Sequence, residues 1–387
     1  MSPSRREAKP IVHVVRVHAV VDELFEQDNH AARVRSLADS VVGVVQVGAL
    51  GIHAIGRGLA AAKGLCDKHA IKQVDRCVGN EKLDVEVLQA AWVKHWCANR
   101  TEMVVNLDWT EFGDDGHSML VLSLQTDHGR SMPLVWKSVD TKSLKGRRNG
   151  SEDELLVRFR SLVPDGIKVT VVADRGFGDQ KLYAFLRDDL RFDYIIRFRG
   201  VVAVTDAAGN SVPARDRTKP DGRLRVVRGG SVTADMAPVP LVVLVHEKGM
   251  KEGWCLATSR DDLTGSTVKR LYGKRFTCEE TFRDVKDWRF GFGMRWQRVS
   301  SLARRDRMML MAVLALHVLS LLGRAGENAG LGRLLMASTS TTRTLSLVRQ
   351  GLRWYELLPT MPEERLALLM LHFETLIGTD PFLTAVF

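Results

Sequence analysis

Asp108 stands near the end of an apolar run, Met103 to Thr110 (MVVNLDWT), and Asp174 closes another, Lys168 to Asp174 (KVTVVAD). A carboxylate at the edge of an apolar strand must be desolvated, paired or bound to a cation. Taken singly, each aspartate reads as a turn or cap residue. On neighbouring strands the pair reads differently, because two carboxylates held close repel unless a cation lies between them. All-oxygen sites of that kind suit magnesium, with manganese as its substitute.

A third acidic residue sits in the most specific pattern of the chain. Tyr272, Arg275, Glu279 and Lys286 follow the spacing Y-x2-R-x3-E-x6-K. Steps of three, four and seven return to one side of a helix, so the spacing predicts a single helical stripe, with Arg283 on it. Such a stripe reads as an ion-paired helix, Arg275 to Glu279 to Arg283. It reads equally as a metal-binding glutamate flanked by phosphate-gripping cations. Glu280 is rotated by about 100° and points elsewhere. From Thr267 to Arg307 there are 12 Lys or Arg against 5 Asp or Glu, which holds most of the chain's net +10. A local positive field around an acidic trio suits phosphodiester chemistry on DNA.

Several elements must position these residues. Residues 1 to about 100 read as helical, with periodic stretches at about Ala31 to Val47, Lys68 to Val78 and Val85 to Cys97. Asp67 and Asp84 stand where N-caps belong, and Gly79-Asn80 is a stop signal. Gly51, Gly56, Gly58 and Gly64 are expected to break this region into short helices. Lys68, Lys72 and Arg76 recur every four residues and form a basic stripe, either a solvated face or a phosphate-facing one. Strand-length apolar runs follow at Met103 to Thr110, Ser118 to Thr126 and Met132 to Val139. Lys142 to Gly150 reads as a loop and Glu152 to Val163 as a helix. A strand over Lys168 to Asp174, a helix over Gln180 to Arg187 and a strand over Asp193 to Phe198 complete the series. The order predicts a mixed α/β sheet of the ribonuclease-H-like kind, with the first and fourth strands adjacent. Residues from about 200 to 259 read as a β-rich insertion, and the chain from Thr264 onward as mainly helix.

Composition narrows the class. With 387 residues, 45% hydrophobic and 26% charged, the chain is globular and long enough for two or three domains. We expect residues 1–100 to form a helical domain, 101–325 the mixed α/β domain with its β-rich insertion, and 326–387 a C-terminal helical region. A pI near 9.5 favours an anionic partner without identifying it. Five cysteines with no C-x-x-C spacing suit a reducing cytoplasm rather than a disulfide framework. Pairing Cys66 with His69 or His95 with Cys97 matches no zinc-finger spacing. The N-terminus MSPSRREAKP lacks an apolar signal core. Met308 to Leu322 is too short to span a membrane and reads as a buried helix.

Three blocks, Asp108-Trp109-Thr110, Asp174-Arg175-Gly176-Phe177 and Tyr272 to Lys286, together resemble the bacterial insertion-sequence transposases of the DDE type. The closer resemblance is to the insertion-sequence-four family, whose third motif is Y-x2-R-x3-E-x6-K. The likeness spans about residues 30 to 325, including Ile71-Lys72, Asp75-Arg76 and Asn80 of the end-binding region. The resemblance implies that Asp108, Asp174 and Glu279 are catalytic and hold two divalent metal ions, Mg2+ or Mn2+. It implies that Tyr272, Arg275 and Lys286 grip phosphates, and that Arg283 keeps a cation where some relatives have lysine. Trp254 matches an aromatic that stacks on a flipped base while a DNA hairpin forms; a core aromatic in a strand is the other reading. Cut-and-paste transposition at terminal inverted repeats, insertion into target DNA, a synaptic homodimer and a nucleoid-associated place in the bacterial cytoplasm are further implications. Two alternatives remain at this point. A structure-specific nuclease or resolvase would share the carboxylates, and a DNA-binding relic would lack catalysis.

Overall fold

The computed structural model describes residues 5–25 and 30–377. The N-terminal helices are α1 (Arg5–Phe25), α2 (Ala31–Val47), α3 (Ile52–Lys63), α4 (Asp67–Gly79) and α5 (Val85–Cys97). Asp84 caps α5 by accepting from the Glu86 amide at 2.8 Å, whereas α4 begins one residue after Cys66, with Asp67 inside its first turn. Gly56 and Gly58 do not break a helix, as the sequence suggests; they lie within α3. A β-carbon on Gly56 would stand 2.5 Å from the Ile71 Cα, and one on Gly58 2.5 Å from the Gly43 carbonyl oxygen. Glycine is required there because α3 is wedged between α2 and α4.

Next come β1 (Glu102–Glu111), β2 (His117–Gln125), β3 (Ser131–Asp140), α6 (Arg148–Leu162), β4 (Lys168–Ala173), α7 (Gln180–Ala184) and β5 (Asp193–Phe198). The expected loop over 142–150 is shorter than the sequence suggests, since α6 starts at Arg148. The region from 200 to 259 supplies β6 (Ala203–Thr205), β7 (Ser211–Pro213), α8 (Ala214–Arg217), β8 (Arg225–Val232), β9 (Ala237–Val245) and β10 (Trp254–Thr258). Among the described residues these strands form one mixed sheet, in the order β3-β2-β1-β4-β5-β10-β9-β8-β6-β7. The β-rich region is therefore an extension of the central sheet, joined through the antiparallel β10–β5 pair. β1 and β4 are adjacent and parallel, as the order of elements predicts.

The two faces of the sheet are covered differently. Met103, Val105 and Leu107 of β1 point into the large core formed with the terminal helices, while Val104 points to the other face. β4 alternates in step, with Val171 and Ala173 on the large core and Val172 opposite. That second face is covered by α9 (Gly265–Gly273), whose Val268, Leu271 and Tyr272 pack on Val104, Val172 and Ile195. α10 (Phe276–Lys286), α11 (Leu302–Asn328), α12 (Leu347–Leu357) and α13 (Glu363–Leu376) follow. α11 is long and apolar enough to cross a membrane, but 94% of its apolar window is buried against the rest of the chain. It is a core helix, with every side chain from Met308 to Leu322 buried.

Candidate active site: an acidic cleft walled by cations

Leu107 of β1 pairs with Ala173 of β4, and the next residue on each chain is an aspartate. Asp108 shares its face with Val104, and Asp174 follows the parity of Val172, because side chains along a strand alternate. Strand register thus brings both carboxylates to the face that α9 and α10 cover. Asp108 has 18% of its side chain exposed. Asp174 is partly buried at the strand end, where its Oδ1 accepts from the Gly176 amide at 2.7 Å and fixes the turn that follows.

The stripe Tyr272 to Lys286 is not one continuous helix. α9 ends at Gly273, and α10 begins after a turn at Lys274-Arg275. Through the turn the amides of Arg275, Thr277 and Cys278 donate to carbonyls three residues back, at 2.9, 3.0 and 3.0 Å, tighter than helical winding. The Thr277 hydroxyl also donates to the Lys274 carbonyl at 2.7 Å. The break separates the motif. Tyr272 is turned into the core, 1% exposed, with the Trp254 ring edge-on at 4.8 Å. Arg275 is turned toward the carboxylates and Glu279 falls in the first turn of α10, where the helix dipole favours a negative charge. α10 is pinned across the sheet by Thr281, whose hydroxyl accepts from the Ser131 amide at 3.0 Å, and by Asp284, which accepts from Arg130 Nε at 2.6 Å.

A single cleft of about 630 Å³ is lined by Asp108, Asp174, Glu279, Arg275, Arg283 and Lys286, together with Trp109, Trp288, Arg295 and Trp296. Within it Arg275 bridges two carboxylates: Nη1 donates to Asp108 Oδ2 at 3.2 Å and Nη2 to Glu279 Oε1 at 2.7 Å. The Cys278 thiol donates to the same Asp108 oxygen at 3.2 Å. Burial pushes the Asp108 carboxyl above its ordinary range; Arg275 and Cys278 oppose the rise, and the charges of Asp174 and Glu279 add to it. Lys286 donates from Nζ to the Thr110 hydroxyl at 2.9 Å. Burial brings its ammonium down to about 8, aided by neighbouring Arg295. Arg283 is exposed and pairs with Glu280.

The cleft therefore assembles Asp108, Asp174, Glu279, Arg275, Arg283 and Lys286. Trp254 and Tyr272 stand behind it in the second core and do not line it. Lys72 and Arg76 are exposed on α4, on one stripe with Lys68, away from the cleft lining. Two features escape sequence reasoning. The Trp109 indole donates to Glu152 at 2.7 Å, tying the residue after Asp108 to α6, and no local pattern marks that pair. Trp288 and Trp296 stand on the wall of the cleft, and their signal was present in the alternation WRFGFGMRW after Lys286.

The donor set suits a hard divalent cation. Three carboxylates line one cleft and repel one another, and a guanidinium already stands between two of them. Among the described residues no three His, Cys, Asp or Glu side chains converge on one point. Arg275 fills the position between Asp108 and Glu279, so its two pairings must yield for a metal to be held by both.

Residues 140–318 match the family model of the Transposase DDE domain. The matched segment is similar to a catalytic domain of DNA cleavage and strand transfer, whose family uses a divalent metal ion. The matched segment includes Asp174, Trp254 and all of Tyr272 to Lys286, while Asp108 lies ahead of it. No curated protein matches the chain.

Proposed function

We propose that the protein is a cut-and-paste DNA transposase of the insertion-sequence-four type, acting on the terminal inverted repeats of its element. The observation that carries this reading is that Asp108, Asp174 and Glu279 line one cleft with Arg275, Arg283 and Lys286, on a chain whose residues 140–318 match the transposase domain. The strand order β3-β2-β1-β4-β5, with β1 between β2 and β4, supports a ribonuclease-H-like core beneath it.

Asp108, Asp174 and Glu279 would hold two divalent cations, Mg2+ with Mn2+ as substitute, which would supply Lewis-acid activation of the attacking oxygen and stabilisation of the leaving one. The chain's own residues do the rest. Lys286 and Arg283 neutralise the phosphate brought to the carboxylates. Water first attacks the phosphorus at the element end and frees a 3′-hydroxyl, and that hydroxyl then attacks a second phosphodiester, each step displacing one oxygen in line. We read a hairpin intermediate into this order, with Trp254 stacking on a displaced base once Tyr272 releases its ring. The exposed Lys68, Lys72 and Arg76 of α4 support an end-binding role for residues 1–100. Residues 101–325 form the catalytic unit in this reading, and 326–387 help to pair two protomers. α11 is consumed by the protomer's own core, so α13 is the available surface, with Leu368 and Leu371 40% and 60% exposed. The protein acts at the nucleoid, in the bacterial cytoplasm.

The test is a denaturing gel of linear DNA carrying the repeats that flank the reading frame. Purified protein and Mg2+ should nick the repeat ends and then yield a hairpin, and Glu279→Ala should do neither. Cuts scattered regardless of the repeats would point to a general nuclease, and binding without cleavage to a DNA-binding relic.

A further inference from the structure

The segment that leaves α10 exposes three large aromatic side chains within nine residues. Trp288 is 61% exposed, Phe290 56% and Trp296 67%. Large aromatics at that exposure, clustered, mark a binding surface rather than ordinary surface composition. Cations are interleaved with them. The Arg289 guanidinium lies 5.0 Å from the Trp288 ring centroid and that of Arg283 6.0 Å from Phe290. Arg289, Arg295 and Arg298 form no ion pair among the described residues and are exposed.

The surface is built, not loose. The Asp287 carboxylate accepts from the amides of Arg289 and Phe290 at 2.7 and 2.8 Å. The Phe292 amide donates to the Asp284 carbonyl at 2.8 Å, and its carbonyl accepts from the Leu50 amide at 2.9 Å. A β-carbon on Gly291 would stand 2.0 Å from the Asp284 carbonyl oxygen, so only glycine lets the segment lie so close to the end of α10. The buried Arg305 donates to the Met294 carbonyl at 3.4 Å. Phe292 and Met294 are buried, 3% and 0% exposed, so the middle of the segment is anchored and the side chains at its two ends stay outward.

We propose that Trp288, Phe290 and Trp296 form a base-stacking platform for unpaired nucleobases of a DNA strand whose phosphodiester lies in the acidic cleft. Trp288 and Trp296 line that cleft with Asp108, Asp174 and Glu279, so a base on either ring belongs to a nucleotide near the reacting phosphate. The occupant follows from charge: aromatic faces flanked by arginines, beside a cleft with Arg283 and Lys286, complement a polyanion whose units carry flat apolar bases. Stacking on these rings is sequence-tolerant and needs the strands separated, because paired bases offer no free face. The platform is distinct from Trp254, whose ring is engaged with Tyr272. The inference rests on the transposase reading, since it assumes DNA in the cleft.

Fluorescence anisotropy in EDTA, which prevents cleavage, tests it on the full chain. The probes are a labelled short oligothymidylate and a fully paired duplex of equal length. Trp288→Ala/Trp296→Ala should weaken oligothymidylate binding at least about tenfold, leave duplex binding and its salt slope within about twofold, and be largely restored by phenylalanine at both positions. Equal losses on both probes, or none, would overturn the platform. So would unchanged oligothymidylate binding with a shifted elution volume, which would make the aromatics a contact between protomers. Wild-type protein that binds duplex but not oligothymidylate would sink the platform alone; binding to neither probe would sink the transposase reading with it.

Discussion

The cleft and the outer face of α4 are both rich in cations, and they hold them in opposite ways. On α4, Lys68, Lys72 and Arg76 are exposed, while Ala70, Val74, Cys77 and Val78 of the same helix are buried. In the cleft, Arg275 is 6% exposed and shared between two carboxylates, and Lys286 is driven toward neutrality by burial. A solvated charge interacts weakly and through screening, whereas a buried one is coupled to every group around it. The α4 stripe can thus add or lose one cation with little consequence for the fold. The cleft cannot, because Arg275 is shared between two carboxylates and Lys286 is buried against the Thr110 hydroxyl.

The largest effect should come from Asp108→Asn. Cleavage should fall by about a thousandfold or more, equivalent to roughly 4 kcal/mol of transition-state stabilisation. Stability should move the other way. The folded-state pKa of Asp108 lies above its ordinary 3.8, so the charged form is penalised in the fold. Stability falls as pH rises from about the ordinary value through the raised one. A neutral isostere removes the penalty, so the Tm of Asp108→Asn in metal-free buffer at pH 7 should exceed that of the wild type. A lower Tm would make this carboxylate a structural brace, and the contrast with α4 would lose its basis.

Next in size is Arg275→Met. It leaves Asp108 and Glu279 without their shared cation and should cost about 2 kcal/mol in the absence of metal, because a buried carboxylate loses its partner. Divalent ions should then raise the Tm of this variant more than that of the wild type, where they compete with the guanidinium. Equal Mg2+ shifts in the two proteins would mean that Arg275 and the metal do not share a position.

Lys286 offers a smaller effect with a sign of its own. Its ammonium titrates near pH 8, below the ordinary 10.5. Between those values the unfolded chain holds the proton and the fold does not, so this group adds stability as pH rises. Affinity for DNA should run the opposite way, because the cation is lost above pH 8. Lys286→Met should bind duplex about fivefold more weakly at pH 7 and lose the extra drop between pH 7 and 9, which anisotropy at constant salt would read. A wild-type affinity that falls no faster than the variant's would remove Lys286 from the phosphate contacts.

What could be read ahead of the structure divides along the same line. Asp108 and Asp174 were legible because each stands at or near the end of an apolar run, and the order of elements makes their strands neighbours. The break between α9 and α10 was not, because the helical spacing of Tyr272, Arg275, Glu279 and Lys286 masks Gly273, and the turn arises from tighter hydrogen bonds. The bridge from Arg275 to Asp108 joins residues 167 positions apart, beyond any local pattern. Gly56 and Gly58 misled for a related reason: glycine signals either a break or a close approach, and only the position of Ile71 and Gly43 decides. The extension of the sheet through β10 was hidden because strand signals identify strands, not their partners. Trp288 and Trp296 were visible as letters, but their outward aim depends on Phe292 and Met294 being the anchored pair.

The smallest effect belongs to α4, and there the contrast can be sharpened most finely. Lys72 is exposed and forms no ion pair among the described residues, so its removal disturbs no neighbour. Lys72→Ala should change stability by less than about half a kcal/mol and leave cleavage of bound DNA unchanged. Its mark should be on salt dependence, with affinity for the element end about twofold to fivefold lower and the slope of log affinity against log salt reduced by about one. That signature belongs to a single solvated cation releasing a single counterion. An unchanged slope would take Lys72 off the DNA and leave the α4 stripe as a solvated helix face. A slope reduced together with the cleavage rate of bound DNA would mean that the end-binding helices and the cleft are coupled, and that the two cation arrays are not independent.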